Sequence, residues 1–450
     1  MAKGPNRFVP SGKLKALELQ EGSGIGLSNL AAARLRFNEV TLTTELSENG
    51  GAYVPLSSSA GSPFTNVQSY GAIGDGTTDD TVAIQNAVNA YPSGGTILFP
   101  CVSAYYKISD SIIIGSNGLK FVGVGSVLPR IHQSSLVDNA FENGANHVSN
   151  ISFENLWLTG QGPGGGNGIV LTSDQTYGSH HSFRGLKIGG SGAYLGFETG
   201  IILEHCMAPS INECQLWQNN HGVKLVGASN GANVIGSEFA ANVQTGLYLM
   251  SAVLGGTDFP VVGANVIGNI FQSNSYASVR LARCNGNVVF GCYFEAGGAY
   301  LGIGASAYDV IVDDESGGIS PIHYGNALLL NSFRGSNATT PPYLGAAHVV
   351  NGPGNIVDRN ICTSNSNIVI EATANRTEIN RNTMYGSSAI ADSGTGTVHG
   401  GCSTVGAARP TLNLSVGDMH ILTTLAPPKP VWVASLGPTV WIDSSGTVVP

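Results

Sequence analysis

The chain has 450 residues, of which 62 are glycine and 20 proline, and only 11% are charged. Glycine and proline at that density exclude a long-helix or coiled-coil architecture, and a 42% hydrophobic content excludes disorder. The formal charge of −9 supplies no basic footprint for a phosphate backbone, so a nucleic-acid partner is not expected.

The first residues, Met1 to Gln20, carry basic side chains but no apolar run of signal-peptide length, and no stretch of 18 apolar residues occurs anywhere. Neither a signal peptide nor a membrane span is expected, so the chain should fold in the cytoplasm and leave it by cell lysis. The seven cysteines form no C-x-x-C pair, and we read most as small buried hydrophobes in a protein folded under reducing conditions. No metal site and no cofactor is expected.

Residues 1–62 differ from the rest: a short helical pattern at Leu14 to Leu19, a strand-like run Arg34 to Thr44, and a second strand Ala52 to Leu56 after the turn residues Glu48 to Gly51. Ser57 to Ser62 is linker-like. The segment Val67 to Asp80 then runs into a helix whose apolar face is Ile84, Ala87, Val88 and Tyr91, capped by Asp79 or Asp80 and ended by Pro92 to Gly95. A strand, Thr96 to Pro100, follows.

The run from Tyr70 to Pro100, YGAIGDGTTDDTVAIQNAVNA followed by GGTILFP, resembles the opening of the right-handed parallel β-helices of the pectate-lyase superfamily, which includes polygalacturonase-like enzymes and bacteriophage tailspikes. The resemblance implies a capping helix over the mouth of the β-helix and, from tailspike relatives, a homotrimer. The preceding hairpin, Arg34 to Leu56, is similar to short stretches of phage tail proteins. It implies that residues 1–62 anchor the chain to a phage tail or baseplate protein, in the virion tail.

Repeats can be read without that resemblance. A Gly-apolar-x-Leu phrase recurs at Gly168, Gly200, Gly222 and Gly246, and with serine at Ser278, in steps of 32, 22, 24 and 32 residues. A second phrase pairs apolar residues five apart: Phe153/Leu158, Phe183/Ile188, Ile211/Leu216, Val234/Phe239, Val266/Phe271, Val289/Phe294, Leu328/Phe333, Ile356/Ile361 and Ile379/Met384. Units of this size describe a β solenoid with occasional insertions. We expect two strands per turn meeting at a corner between the two apolar positions, and unusual backbone angles at the corner residues Asn219, Asn242 and Asn274. The β-helix should span 63–400, and 401–450 should be a β-rich closing or trimerising region.

Stacking at about 4.8 Å turns equivalent positions into ladders. One outward ladder is predicted as Val170, Ile202, Lys224, Tyr248, Arg280, and another as Trp157, Lys187, Gln215, Glu238, Ile270, Tyr293. The inward Phe239, Phe271 and Phe294 should stack as core. Tyrosines mixed with charged side chains suit a polyhydroxylated ligand, and the insertions Ser251 to Gly263, Pro163 to Gly166 and Ser173 to His181 should overhang it.

Hydrolysis of a glycosidic bond requires two carboxylates, for which Glu238, Asp258 and Glu295 are the candidates. Glu204, Lys224, Tyr248, Arg280, Arg283 and Tyr293 are candidates for substrate binding. A lyase would draw on Lys224, Arg280 and Arg283 with His205 or His221. The calcium-binding acids of classical pectate lyases are not recognisable, and Asp313 to Glu315 reads as a solvated turn. The expected function is a tailspike that binds and depolymerises a bacterial surface polysaccharide. The alternatives are a lyase of the same fold, a non-enzymatic glycan-binding adhesin, and a bacterial polysaccharide-degrading enzyme.

Overall fold

A glycine that recurs once per turn marks where the backbone of one turn touches the next. In the computed structural model a Cβ on Gly222 would lie 2.4 Å from the carbonyl oxygen of Gly246 and 3.0 Å from Cδ1 of Phe239. Gly200 faces Gly222 in the same way, and Gly246 faces Ser278. The phrase is therefore the trace of a stacked column. The structure describes residues 64–400, apart from 145–146, 174–178, 191–194, 255–256, 296–306, 314–324, 335–342, 351, 364–365, 386–387, 389 and 395. Outside that span it describes the strands at 33–38, 43–48, 54–55, 403–406, 419–422, 431–437, 440–442 and 448–449.

The chain divides into two compact units, Met1–Pro63 and Phe64–Pro450. In the first, Ala33–Asn38 pairs antiparallel with Thr43–Glu48, which pairs with Val54–Pro55. The run read as one strand from Arg34 to Thr44 is thus split between two strands of a hairpin. The helical pattern at Leu14 to Leu19 lies outside the described residues.

The second unit is a parallel β-helix. Each full turn crosses three sheets rather than two. For example, Ser210–Asn212 belongs to sheet I, Gln215–Trp217 to sheet II and His221–Val226 to sheet III, after which Asn233–Ile235 returns to sheet I. The five-residue phrase joins sheets I and II, and the glycine phrase is sheet III. Inside, Phe239, Phe271, Phe294 and Phe333 stack with centroids 4.8–4.9 Å apart. Phe153 stacks between Phe121 and Phe183 in sheet I. At the turn of Ile356 and Ile361 the expected register is one residue off. Val357 and Cys362 are the buried pair there, and Ile361 is exposed.

The corner asparagines differ from expectation in their reason. Positive φ falls on the residue before each, at Gln218, Ala241 and Ser273. Asn219, Asn242 and Asn274 are buried and bonded to one another: the Asn219 backbone N–H donates to Oδ1 of Asn242 at 3.1 Å, and that of Asn242 to Oδ1 of Asn274 at 3.2 Å. Two further ladders, Asn331–Asn360–Asn382 and Asn287–Asn326–Asn355, serve the other corners. Each side chain satisfies backbone donors that the bend removes from the sheets.

One helix, α1 (Thr81–Asn89), buries Ile84, Ala87 and Val88 against the first turns. Asp79 Oδ1 accepts from the Thr81 backbone N–H at 3.0 Å, while the Asp80 carboxylate accepts from Ile73 and Gly74. At the other end Ser403–Gly406 and Met419–Leu422 still stack in parallel on sheet II, and the strands Val431–Gly437, Val440–Ile442 and Val448–Val449 follow in antiparallel order. No helix among the described residues is long and apolar enough to cross a membrane.

Candidate functional site

Both outward ladders occur in the predicted register. On sheet III the pairs Val170↔Ile202, Ile202↔Lys224, Lys224↔Tyr248 and Tyr248↔Arg280 are direct neighbours, and the column continues through Ile311 to His348. On sheet II, Trp157, Lys187, Gln215, Glu238, Ile270 and Tyr293 follow one another in the same manner.

Sheet III carries the denser chemistry. The Arg280 guanidinium lies 4.9 Å from the ring centre of Tyr248 and 5.5 Å from that of Tyr276. It also holds Asp313 through Nε, 3.0 Å from Oδ2, and Nη2, 2.8 Å from Oδ2. Burial works against this charge, but the hydrogen bonds and charge of Asp313 outweigh it and raise the guanidinium pKa above its usual value. Tyr276 meets Tyr308 edge to face, Tyr308 meets His348 at 4.9 Å, and His348 Nε2 reaches Glu371 at 2.8 Å. Ala277, Tyr308 and Ile311 form a small apolar cluster separate from the main core. The result is an outward set of rings and fixed charges in which Tyr248 and Tyr308 are themselves buried, 4% and 8% exposed, and Tyr276 is half-buried.

Two residues N-terminal to the core positions Ile201, Val223 and Leu247, Thr199, His221 and Thr245 form a column whose threonines are buried. His221 Nδ1 lies 2.6 Å from Thr245 Oγ1, and its ring is 5.9 Å from that of Tyr248. Burial, reinforced by the positive charges of Lys224 and Arg280, lowers its pKa to about 3. His221 is therefore neutral at pH 7.

At the far edge of sheet III the hairpin Ala252–Leu254/Thr257–Phe259 positions Asp258, whose Oδ2 is 2.5 Å from Arg283 Nη2 in a pair that is 7–8% exposed. The Arg283 backbone N–H donates to the Asp313 carbonyl at 3.1 Å. The two ion pairs, Asp258–Arg283 and Arg280–Asp313, thus lie at the same edge on neighbouring strands. Asp313 is 8% exposed, so the solvated-turn reading does not hold for it; Asp314 and Glu315 lie outside the described residues. Glu204 ends the strand Thr199–Glu204 in the same outward column as Val226 and Met250. His205, buried beside Phe259, accepts from the Ala228 backbone N–H and has its pKa lowered by burial.

The other sequence candidates lie elsewhere. Glu238 and Glu295 are on sheet II, two turns and two positions apart, which is about 12 Å between Cα atoms. Glu238 accepts from Gln215 Nε2 at 3.4 Å, and Glu295 accepts from the Tyr293 hydroxyl at 3.1 Å with Arg334 at 3.6 Å. The structure brings together Lys224, Tyr248, Arg280, Arg283 and Asp258, with Glu204 on the same face, and sets Glu238, Tyr293 and Glu295 on another. Sequence reasoning missed Asp313, Tyr276, Tyr308 and His348. Among the described residues no group of three or more His, Cys, Asp or Glu side chains could hold a metal ion.

Residues 64–141 match the family described as rhamnogalacturonase A/epimerase, pectate lyase-like. The opening of the β-helix is pectate-lyase-like. The resemblance read from Tyr70 to Pro100 is borne out there. No curated protein matches the sequence. Among solved structures, tailspike protein 3 of bacteriophage CBA120 is 12% identical with a TM-score of 0.49, covering 86% of this chain and 70% of that one. The A-module of the mannuronan C-5 epimerase AlgE6 of Azotobacter vinelandii is 17% identical with a TM-score of 0.48, over 77% and 99% of the two chains. The surface adhesin PfbA of Streptococcus pneumoniae is 13% identical with a TM-score of 0.48, over 86% and 98%. No statement about the chemistry of this chain follows from those three.

Proposed function

We propose that the protein is a tailspike that binds a bacterial surface polysaccharide along the outer face of sheet III and hydrolyses it at the edge shared by Asp258–Arg283 and Arg280–Asp313. The observation that carries the binding half is Arg280, held against Tyr248 and Tyr276 and fixed by Asp313. Its donors and ring neighbours are set before a ligand arrives, so little side-chain entropy is lost on binding. The half-buried Tyr276 ring takes the C–H face of a sugar, buried Tyr248 backs the guanidinium, and the guanidinium takes hydroxyl or carboxylate oxygens.

Hydrolysis adds water across the glycosidic bond. One carboxyl group protonates the leaving oxygen and the other carboxylate takes the proton of the attacking water. Asp258 and Asp313 are the two carboxyl groups at this edge and are assigned those roles. The phage assignment rests on the tail-like Arg34 to Leu56 hairpin, within a unit of its own. By that resemblance residues 1–62 attach to the tail or baseplate, and by the resemblance of the Tyr70 to Pro100 run to tailspikes the spike is a homotrimer.

The test is incubation of the purified chain with capsule or lipopolysaccharide of its host. Hydrolysis releases reducing ends without an unsaturated product; ultraviolet absorbance of an unsaturated uronate signals a lyase instead. Asp258→Asn should lower turnover by at least about a hundredfold while glycan binding persists, and Asp313→Asn should lower turnover as far and also weaken binding, because Asp313 fixes Arg280. One observation favours a second reading, a spike that binds without cleaving: both aspartates are already engaged by arginines. In that case no host glycan yields new ends, and Arg280→Ala alone abolishes attachment. Sedimentation equilibrium of the full chain decides the trimer.

A further inference from the structure

A second set of rings and cations occupies the outer face of sheet II, near the capped end. Arg130, Trp157 and Lys187 are successive members of one outward column. The Arg130 guanidinium is 4.4 Å from the Tyr105 ring centre and 5.2 Å from that of Trp157. Lys187 Nζ is 4.4 Å from the centre of Trp157 and 5.1 Å from that of Trp217. The Trp157 indole N–H donates to the Gly189 carbonyl at 2.7 Å, which fixes the ring that separates the two cations.

Such a stack would hold adjacent turns together even if it did nothing else. The charge around it argues for more. Lys120, Arg184, Arg280, Arg283, Arg334 and Arg381 each lie within ion-pair distance of a carboxylate. Among the described residues Lys187 has no carboxylate within that distance, and its interactions are the two indoles. Ring faces attract a cation without neutralising it. Beside it the Trp217 indole N–H is buried with no acceptor. On the neighbouring outward position, burial and, after it, the positive charges of Arg130 and Lys107 lower the pKa of His132. In a chain of net charge −9 this is a local concentration of positive charge.

Arg130 and Lys187 are two strand spacings apart, about 10 Å, along the solenoid axis. That is the repeat of a disaccharide in an extended chain. We propose that Arg130, Trp157, Lys187 and Trp217 form a second, non-catalytic binding surface for a linear acidic polysaccharide with one carboxylate per disaccharide, lying parallel to the axis. Each cation takes one carboxylate, and the edges of the Trp157 and Trp217 rings take the intervening sugar. The surface is on a different sheet from Arg280 and does not depend on the reading of that face.

The experiment titrates the full chain with hyaluronan oligosaccharides, which carry one carboxylate per disaccharide, and with neutral dextran of equal length, following tryptophan fluorescence and heat. Hyaluronan binds and quenches or shifts the indole emission, dextran does not, and added salt weakens the binding. Lys187→Gln and Trp217→Ala each weaken it at least about tenfold. Arg184→Ala leaves it within about twofold, since Arg184 lies at the sheet I corner and is already paired with Glu213. Should Trp217→Ala fail to fold, Lys187→Gln decides, because it removes the charge and keeps the stem. Absence of hyaluronan binding, equal binding by a folded Lys187→Gln protein, or loss of binding in Arg184→Ala equal to that in Lys187→Gln would each overturn the proposal.

Discussion

The outer faces of sheets II and III use the same materials in opposite ways. On sheet III, Arg280 sits against two tyrosines and its charge is met inside the protein by Asp313. On sheet II, Lys187 sits against two tryptophans and its charge is met by no carboxylate among the described residues. A neutralised, pre-fixed cation offers directional hydrogen bonds and little long-range field, whereas an uncompensated one attracts anions from a distance. Sheet III should therefore recognise shape and hydroxyl geometry with weak salt dependence. Sheet II should recognise charge.

The most drastic way to break the comparison is to remove the scaffold that both faces share. A valine at position 222 would drive its side chain into the Gly246 carbonyl and Phe239. Gly222→Val is expected to cost more than about 3 kcal/mol and to abolish binding at both faces together. Urea denaturation of the variant measures it. Retained stability would mean that the column has slack the contacts do not reveal.

Next in size is Arg280→Ala, which leaves the Asp313 carboxylate in a site that is 12% exposed without its counter-charge. Breaking such a pair costs about 3–5 kcal/mol, and sheet III binding should disappear with it. Arg280→Lys restores charge but not the two-point grip, so it should recover part of the stability and little of the binding. A variant that loses stability while keeping glycan affinity would remove Arg280 from the site.

Acid should then separate the faces further. Burial lowers the pKa of His221 to about 3 and that of His181 to about 4, both below the unfolded value of about 6.5. The folded protein thus holds fewer protons than the unfolded chain between those values. The contribution of the two neutral histidines is fully present above pH 6.5 and is lost as the pH falls through that window. At pH 5 the pair accounts for a slope of up to about 2.7 kcal/mol per pH unit. His221→Gln should flatten the slope by about half. A pH series of denaturation midpoints from 7.5 to 4.5 reads this directly, and because His221 touches Tyr248, sheet III binding should weaken with it before sheet II binding does.

How much of this was legible depended on periodicity. The steps of 22 to 32 residues aligned the glycine column and both outward ladders as far as Arg280 and Tyr293, since a side chain that must sit above its equivalent leaves the same letter in each turn. The next sheet III strand, Ala307–Asp313, has Asp309 paired opposite the serine of the column, so nothing marked Tyr308 or Asp313 as members of the sheet III set. Asp258–Arg283 joins a hairpin to the following turn, a contact that no repeat specifies. Asparagine ladders were half visible: the spacing located the corners, but three sheets per turn, and hence three ladders, emerge only when the backbone donors freed at each bend are followed to their acceptors.

The smallest expected effect is also a control on the charge argument. Arg184 and Glu213 pair on the outside of the sheet I corner, 3.1 Å apart and each 63% exposed. Arg184→Ala should change stability by less than about 1 kcal/mol, because water screens the pair and ordering two long side chains offsets most of its attraction. It removes the same unit of charge as Lys187→Gln but from a cation that already has an acidic partner. If hyaluronan affinity falls equally in the two variants, net charge governs the sheet II face; if it falls only with Lys187, the unneutralised position between two indoles does.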